Sequence, residues 1–286
     1  MGIRLSIITI NYNNSTGLKK TIDSVLNQTS KEFEYIIIDG RSIDNSLQEI
    51  NVAFHMIYDN AQSRGDVLQN GLHVQWISEL DSGIYNAMNR GIRMAKGEYI
   101  QFLNSGDIMA SNDVTAKMLG SLPNDCNILY GNMLKPLSKR IHRDRGFAGK
   151  TPTMLDFYTG TLNHSSAYIK RTLFDTYGLY DENLKIVSDW KWYLQVIALN
   201  DVKPNYVDID VTIFDMNGIS STNSDLDKLE RKQVLLTTLH KSVLTDYESW
   251  AFPIEQLSRV NRYWIFRKLL WFTERMLFKW EKCLRR

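Results

Sequence analysis

Two spacings of apolar residues alternate along the first hundred positions of the chain. Residues 5–10 and 33–38 are near-continuous apolar runs rich in Ile, each ending in a polar turn, Asn11-Tyr12-Asn13-Asn14 and Asp39-Gly40-Arg41-Ser42. Such runs predict buried strands. Between them Leu18, Ile22, Val25 and Leu26 recur at helical spacing. Asp44 is then placed to cap a helix running through Ile50 and Ile57. The stretch 60–72 is polar, contains Gly and has little periodicity, so it is expected to be irregular or partly helical. Strands at 73–78 and 99–103 follow, separated by a helix whose Ile84, Met88, Ile92 and Ala95 share one face. Gly91 falls on the same side, where it would permit close packing on the sheet. Strands alternating with helices predict an α/β fold with a mostly parallel, right-handed, doubly wound sheet.

Beyond residue 110 the pattern is less regular. It predicts a strand at 127–130, a basic extended segment at 139–145, a short strand at 167–169 and a helix over 171–177. A helix opening at Ser188-Asp189-Trp190, two short strands around Val207 and Ile213, and a turn at 217–221 complete this half. There is no internal repeat and no low-complexity linker. The simplest division is one domain over 1–222, in halves 1–110 and 111–222, followed by a helical extension over 223–286.

Three successive strand ends carry Asn11, Asp39 and the turn Asn104-Ser105-Gly106-Asp107. A parallel sheet gathers such ends on one rim, which is where ligands bind in open α/β sheets. A carboxylate there suits Mg²⁺ or Mn²⁺, hard ions that take oxygen ligands and bridge substrate phosphates. Equally, Asp107 could cap a helix starting near Ser111. No Gly-x-Gly-x-x-Gly follows the first strand and no P-loop is present, which disfavours a dinucleotide-dependent Rossmann enzyme. The net charge of +2 makes no case for nucleic acid. Cys126 and Cys283 lie far apart with no Cys-x-x-Cys pair, so neither a disulfide scaffold nor a zinc site is expected. Residues 1–10 are too short and too strand-like for a signal peptide. No stretch approaches the ~20 apolar residues of a membrane span. A reducing, cytoplasmic location follows as the expectation.

In order and spacing, four segments resemble the inverting glycosyltransferases of family 2, which have a GT-A fold. They are Ser6-Ile7-Ile8-Thr9-Ile10-Asn11-Tyr12-Asn13, then Ile38-Asp39-Gly40-Arg41-Ser42-Ile43-Asp44, then Asp81-Ser82-Gly83-Ile84-Tyr85-Asn86-Ala87-Met88-Asn89-Arg90-Gly91-Ile92, and finally Asn104-Ser105-Gly106-Asp107. Asn163-His164-Ser165 and Val187-Ser188-Asp189-Trp190 extend the likeness to about Gly218. The subset it most resembles serves bacterial exopolysaccharide synthesis, including the colanic-acid type.

The resemblance implies a Rossmann-like, mostly parallel sheet flanked by helices, a nucleotide-sugar donor, and a glycan or polyprenyl-linked acceptor. It implies that Thr9, Asn11, Asp39 and Ser42 bind the nucleotide sugar, with Asp81 and Asn104 nearby, and that Asp107 holds Mg²⁺ or Mn²⁺ under the diphosphate. Asp189 would be the general base; its other reading is an acidic residue favoured at a helix N-terminus. His164 would contact acceptor or diphosphate, or else serve as a structural His bonded to a turn. The segment 218–221 would close over the donor phosphates, or be a hairpin-like turn.

Three departures from the family pattern matter. The usual Asp-x-Asp signature is Asn104-Ser105-Gly106 here, leaving Asp107 as the one carboxylate and predicting modest metal affinity. The usual paired aspartates after the second strand are Asp39-Gly40, so a uridine donor is not implied. An Arg common in the third motif is Met88. Two other functional classes remain open on the sequence, a nucleotidyltransferase and a non-catalytic nucleotide-sugar-binding or assembly module.

Charge changes the picture only in the tail. Residues 225–286 carry 13 basic and 8 acidic residues, which leaves the first 224 at −3. From Asn261 onward Trp264, Trp271, Phe272, Phe278 and Trp280 interleave with Arg262, Arg267, Lys268, Arg275, Lys279 and Lys282. That is the pattern of a basic amphipathic helix on a membrane surface, here the inner face of the plasma membrane. It is equally the pattern of a helix packed on the catalytic domain or in an oligomer.

Overall fold

The computed structural model describes residues 2–54, 63–218 and 222–284. Its first hundred residues give β1 (Leu5–Asn11), α1 (Ser15–Leu26), β2 (Phe33–Asp39), α2 (Ser46–Ala53), β3 (Arg64–Gln69), β4 (Leu72–Ser78), α3 (Ile84–Met94) and β5 (Tyr99–Phe102). Then come β6 (Ile108–Met109), α4 (Val114–Gly120), β7 (Ile128–Leu137), β8 (Arg140–Asp144), α5 (Met154–Thr159), β9 (Ala167–Lys170), α6 (Thr172–Tyr177), α7 (Ser188–Tyr193) and β10 (Pro204–Ile213). A single mixed sheet runs β3-β4-β2-β1-β5-β9-β7-β10-β6, with β8 hanging from β7. The segment β4-β2-β1-β5 is parallel throughout. β1, β2 and β5 are buried at every position, which is why they read as continuous apolar runs.

Close packing of α3 on this sheet depends on Gly91, where an added Cβ would lie 2.5 Å from Ile8 Cγ2. Glu34, fully buried on β2, accepts from Ser6 Oγ (2.6 Å) and from the backbone N–H groups of Lys96 (2.5 Å) and Gly97 (3.2 Å). It thereby fixes the turn that delivers β5.

The structure differs from the sequence pattern in three places, and a fourth expectation falls outside the described residues. Residues 64–69 are an edge strand, not an irregular excursion. β3 pairs antiparallel with β4 through an Asn70-Gly71 turn, both residues at positive φ (49° and 78°). α2 ends at Ala53, and the expected continuation through Ile57 lies outside the described residues. The helix expected near Ser111 starts at Val114 with Asp113 at its cap, so Asp107 has no capping role. The two short strands around Val207 and Ile213 are one irregular strand, β10, whose register with β7 shifts twice.

Cα packing divides the chain into units Met1–Gln233 and Val234–Arg286, a boundary within α8 (Ser224–Thr238). The second unit contains α9 (Lys241–Val260) and α10 (Trp264–Leu284). On α10, Ile265, Leu269, Phe272 and Met276 form an apolar strip, each more than half exposed. On its basic side Lys268 lies over the Trp264 ring at 4.9 Å and Arg275 over Trp271 at 4.5 Å. Among the described residues no helix is long and apolar enough to cross a membrane.

Candidate functional site

The ends of β1, β2 and β4 lie side by side, with Asn11 opposite Asp39 and Asp39 opposite Ser78. Asp39 has no exposed surface. It accepts hydrogen bonds from Asn11 Nδ2 (2.7 Å), Ser42 Oγ (2.5 Å), Ser42 N (3.0 Å) and Ser78 Oγ (2.6 Å). A carboxylate so surrounded ties three loops together, and Ser42 also donates nothing further outward. Its Oγ instead accepts from Asn13 N (2.8 Å). Asp81 stands next to this knot. Burial pushes its pKa up, the Gly83 N–H (2.9 Å) and Arg90 pull it back, and Asp39 pushes it up again. Its Oδ2 lies against Gly40, where a Cβ would come within 2.7 Å of it and 3.1 Å of the exposed Tyr12 ring. Thr9 is not at this rim. It is fully buried, donates to the Leu103 carbonyl (2.7 Å) and shares a hydrogen bond with Tyr35 Oη (3.0 Å).

The turn after β5 builds a second cluster. Gly106, at φ +107°, donates to Thr21 Oγ1 (2.9 Å), which donates to the Asp107 carbonyl (2.7 Å). Asp107 is 3 % exposed. Its Oδ1 accepts from the backbone N–H of Asp215 (2.8 Å), and its Oδ2 is buried without a partner. Burial pushes its pKa up to about 7, against the pull of the Asp215 N–H and His164, while the Asp215 carboxylate adds to the rise. The Asp215 carboxylate itself lies beside Gly106. Sequence reasoning passed over Asp215, which sits two residues before the flagged turn at 217–221; residues 219–221 of that turn lie outside the described residues.

Among the described residues no group of three or more His, Cys, Asp and Glu side chains is gathered as a metal cage. Mg²⁺ and Mn²⁺ do not need one, since one or two carboxylates completed by substrate phosphates suffice. Asp107, with an orphaned buried oxygen, fits such a cation.

Across from this turn, the short 3-10 turn His164–Ser166 and α7 bring in the third group. His164 Nδ1 and Asp189 Oδ2 are 2.9 Å apart, and Tyr85 Oη donates to Asp189 Oδ1 at 2.9 Å. Burial pushes the Asp189 carboxyl up, but the His164 hydrogen bond and charge, with Tyr85 and the Trp190 N–H, bring it below the usual carboxylate range. Burial pulls His164 down, and its hydrogen bond to Asp189 with the charges of Asp189 and Asp107 more than reverses this. His164 Nε2 is 3.3 Å from Asn104 Nδ2, while Asn104 Oδ1 is buried without a partner. Turning the Asn104 amide gives a protonated Nε2–H its acceptor, so both forms of the ring can be accommodated. Phe102 meets the imidazole edge-on, with Phe174 and Tyr180 packed against Phe102 and Trp192 against Tyr180. The structure thus joins Asn104, His164 and Asp189 in one chain, with Tyr85 as a member that sequence reasoning missed.

The sequence profile described as Glycosyl transferase family 2 matches residues 6–181. A PGL/p-HBAD biosynthesis glycosyltransferase of Mycobacterium tuberculosis is 27% identical over 233 residues, covering 79% of this chain and 82% of the relative. Among solved structures, residues 1–349 of Staphylococcus aureus TarS in complex with UDP-GlcNAc superpose with a TM-score of 0.59 at 19% identity, over 84% of this chain and 68% of that one. In a second Staphylococcus aureus TarS structure the match spans 41% of that chain. The mannosyltransferase PcManGT from Pyrobaculum calidifontis, in complex with GDP-Man and Mn²⁺, superposes with a TM-score of 0.61 at 14% identity, over 96% of this chain and 80% of that one. These structures share the GT-A fold with this chain.

Proposed function

Because the chain belongs to glycosyl transferase family 2, whose model spans residues 6–181, we propose that it is an inverting, metal-assisted enzyme of bacterial surface-glycan assembly. It takes a sugar from a nucleotide-sugar donor to a hydroxyl of a glycan or lipid-linked acceptor. The observation that carries this reading is the half-buried His164–Asp189 pair, linked through Asn104 to the turn that holds Asp107.

Asp107 would hold the divalent cation. When bound, that cation neutralises charge building on the departing diphosphate. The knot of Asn11, Asp39 and Ser42, with Asp81 beside it, supports the nucleoside end of the donor. Thr9 supports it from below, by fixing β1 against β2 and β5. Asp189 takes the proton of the acceptor hydroxyl as its oxygen attacks the anomeric carbon. The bond from that carbon to the diphosphate breaks, and its electron pair leaves with the nucleoside diphosphate. One displacement of this kind inverts the anomeric centre. A carboxylate held low is always ionised at neutral pH but weakly basic, so the proton moves as the new bond forms. His164 orients Asp189 and stabilises its charge, and Phe102 holds the imidazole from one side.

α10 gives the enzyme a means of reaching a lipid-linked acceptor. Its apolar strip would lie in the headgroup boundary of the inner leaflet, with its Lys and Arg side chains each contributing about 1 kcal/mol near anionic lipid.

A thermal-shift panel of UDP, GDP, dTDP and CDP, each with and without Mn²⁺, tests the donor site. One nucleotide should stabilise the protein in a Mn²⁺-dependent way, by about 2.7 kcal/mol at a hundredfold excess over Kd. A flat response to all four, with no nucleoside diphosphate released in a donor-hydrolysis assay, would refute the reading.

A further inference from the structure

The turn Asn104-Ser105-Gly106-Asp107 lacks the carboxylates that the resemblance led us to expect at its first and third positions. The structure brings another acidic side chain to the gap. We propose that Asp215, 108 residues downstream of Asp107, supplies the second carboxylate of the divalent-cation clip. The proposal rests on the metal-assisted reading above.

Three observations converge. The β6–β10 ladder pairs Ile108 with Ile213 and Met109 with Thr212, so the residues flanking it, Asp107 and Asp215, are brought together by main-chain pairing. The Asp215 N–H then holds Asp107 Oδ1 at 2.8 Å, which leaves the buried Oδ2 of Asp107 as the oxygen without a partner. Finally, the Asp215 carboxylate is itself oriented. Its Oδ1 accepts from the backbone N–H (3.0 Å) and side-chain amide (2.8 Å) of Asn217, and its Oδ2 lies against Gly106. A Cβ at Gly106 would come within 2.4 Å of that oxygen, so the absent side chain is what admits it.

Two carboxylates beside each other in this half-buried turn repel, and among the described residues neither forms an ion pair with a Lys or Arg side chain. A divalent cation neutralises them. Two carboxylates completed by donor phosphates make a normal Mg²⁺ or Mn²⁺ set. The modest affinity expected from one carboxylate is therefore raised to that of a conventional two-carboxylate site. The rival role for Asp215 is purely conformational, as the acceptor that shapes the 215–217 turn.

The test is a Mn²⁺ titration followed by electron paramagnetic resonance, on the full chain with a saturating nucleoside diphosphate. Asp215→Asn keeps the Oδ1 that accepts from Asn217, so it retains the turn and removes the charge. We expect its apparent Mn²⁺ Kd to rise at least tenfold, as in Asp107→Asn, with metal-free nucleotide binding unchanged. A Kd within twofold of wild type overturns the proposal while leaving the metal-assisted reading intact. A wild type that binds no Mn²⁺ overturns both. Asp215→Cys adds a readout that a conformational role would not give. A thiolate ligand prefers soft ions, so this variant should lose Mn²⁺ and gain Cd²⁺ binding, seen as thiolate-to-metal ultraviolet absorption above the wild-type background. Absence of that gain in a folded variant counts against ligation.

Discussion

Replacing Asp189 with Asn separates proton transfer from everything else the side chain does. The carboxylate receives His164 on Oδ2 and Tyr85 on Oδ1, both at 2.9 Å. An amide at this position can keep both neighbours. Its oxygen accepts from His164 Nδ1–H, and its NH2 donates to Tyr85 Oη, whose own hydrogen turns fully to the Ile186 carbonyl 2.5 Å away. The fold should therefore lose only about 1 kcal/mol, the net worth of a hydrogen bond whose charge assistance is gone. Catalysis should lose the whole contribution of a general base, about 10²- to 10⁴-fold in kcat, or about 3–5 kcal/mol in the barrier. The assay is the initial rate of nucleoside diphosphate release at saturating donor, beside donor affinity measured without acceptor. Donor Kd should stay within threefold of wild type. A kcat within tenfold of wild type, or a rate loss matched by an equal loss of donor affinity, would refute the assignment.

Five other outcomes follow from the structure. Removing His164 (His164→Ala) leaves burial as the dominant influence on Asp189, so its pKa rises and the acid limb of the kcat/KM profile should move to higher pH; an unmoved limb would show that His164 does not tune the base. In the wild type, the folded His164 pKa is raised above its unfolded value of about 6.5, so its stabilising contribution is complete below that value and lost as pH rises through the folded pKa; a chemical-denaturation series across neutral pH should show this slope and His164→Ala should lack it. Asp107 has the opposite consequence for the metal-free protein, because a folded pKa of about 7 means that a charged, buried carboxylate destabilises the fold progressively from about pH 4 to 7; Asp107→Asn should raise stability at pH 8 by a few kcal/mol, at about 1.4 kcal/mol per pKa unit, and change little at pH 4. Gly91→Ala forces a methyl against Ile8 Cγ2 and should cost about 1–3 kcal/mol in denaturant unfolding. On the tail, Phe272→Glu with Met276→Glu should reduce co-sedimentation with phosphatidylglycerol vesicles at least tenfold while sparing turnover of a water-soluble acceptor; equal binding to phosphatidylcholine vesicles would remove the electrostatic part of the argument.

The parallel half of the sheet is legible because strands buried on both faces read as unbroken apolar runs, and β1, β2 and β5 are such strands. β3 lacks that signature. It lies at the sheet edge with Arg64, Asp66 and Leu68 turned to solvent, and only the Asn70-Gly71 pair marks its hairpin. The site divides in the same way. Side chains at the ends of predicted strands, such as Asn11, Asp39 and Asn104, carry a local sign of their position. Tyr85 and Asp215 carry none: the first is an ordinary helix residue until α7 brings Asp189 to its hydroxyl, and the second reaches Asp107 through a ladder two residues long. Thr9 shows the converse, since its place in a motif marks the right strand but its hydroxyl faces the interior.

If the proposed site is right, the long-range link between Asp107 and Asp215 also bears on when activity can arise during synthesis. At ~5–20 residues per second a ribosome needs roughly 5–20 s to travel the 108 positions from one to the other. Within that interval β1, β2, β4 and β5 emerge and can pair, while β9, β7 and β10 are still arriving. A nascent chain can therefore assemble its nucleoside-facing rim long before the N–H that holds Asp107 exists. On the proposed assignment, such a chain has the nucleoside-facing rim but not the pair of carboxylates under the diphosphate, and sugar transfer would wait for β10 to close onto β6.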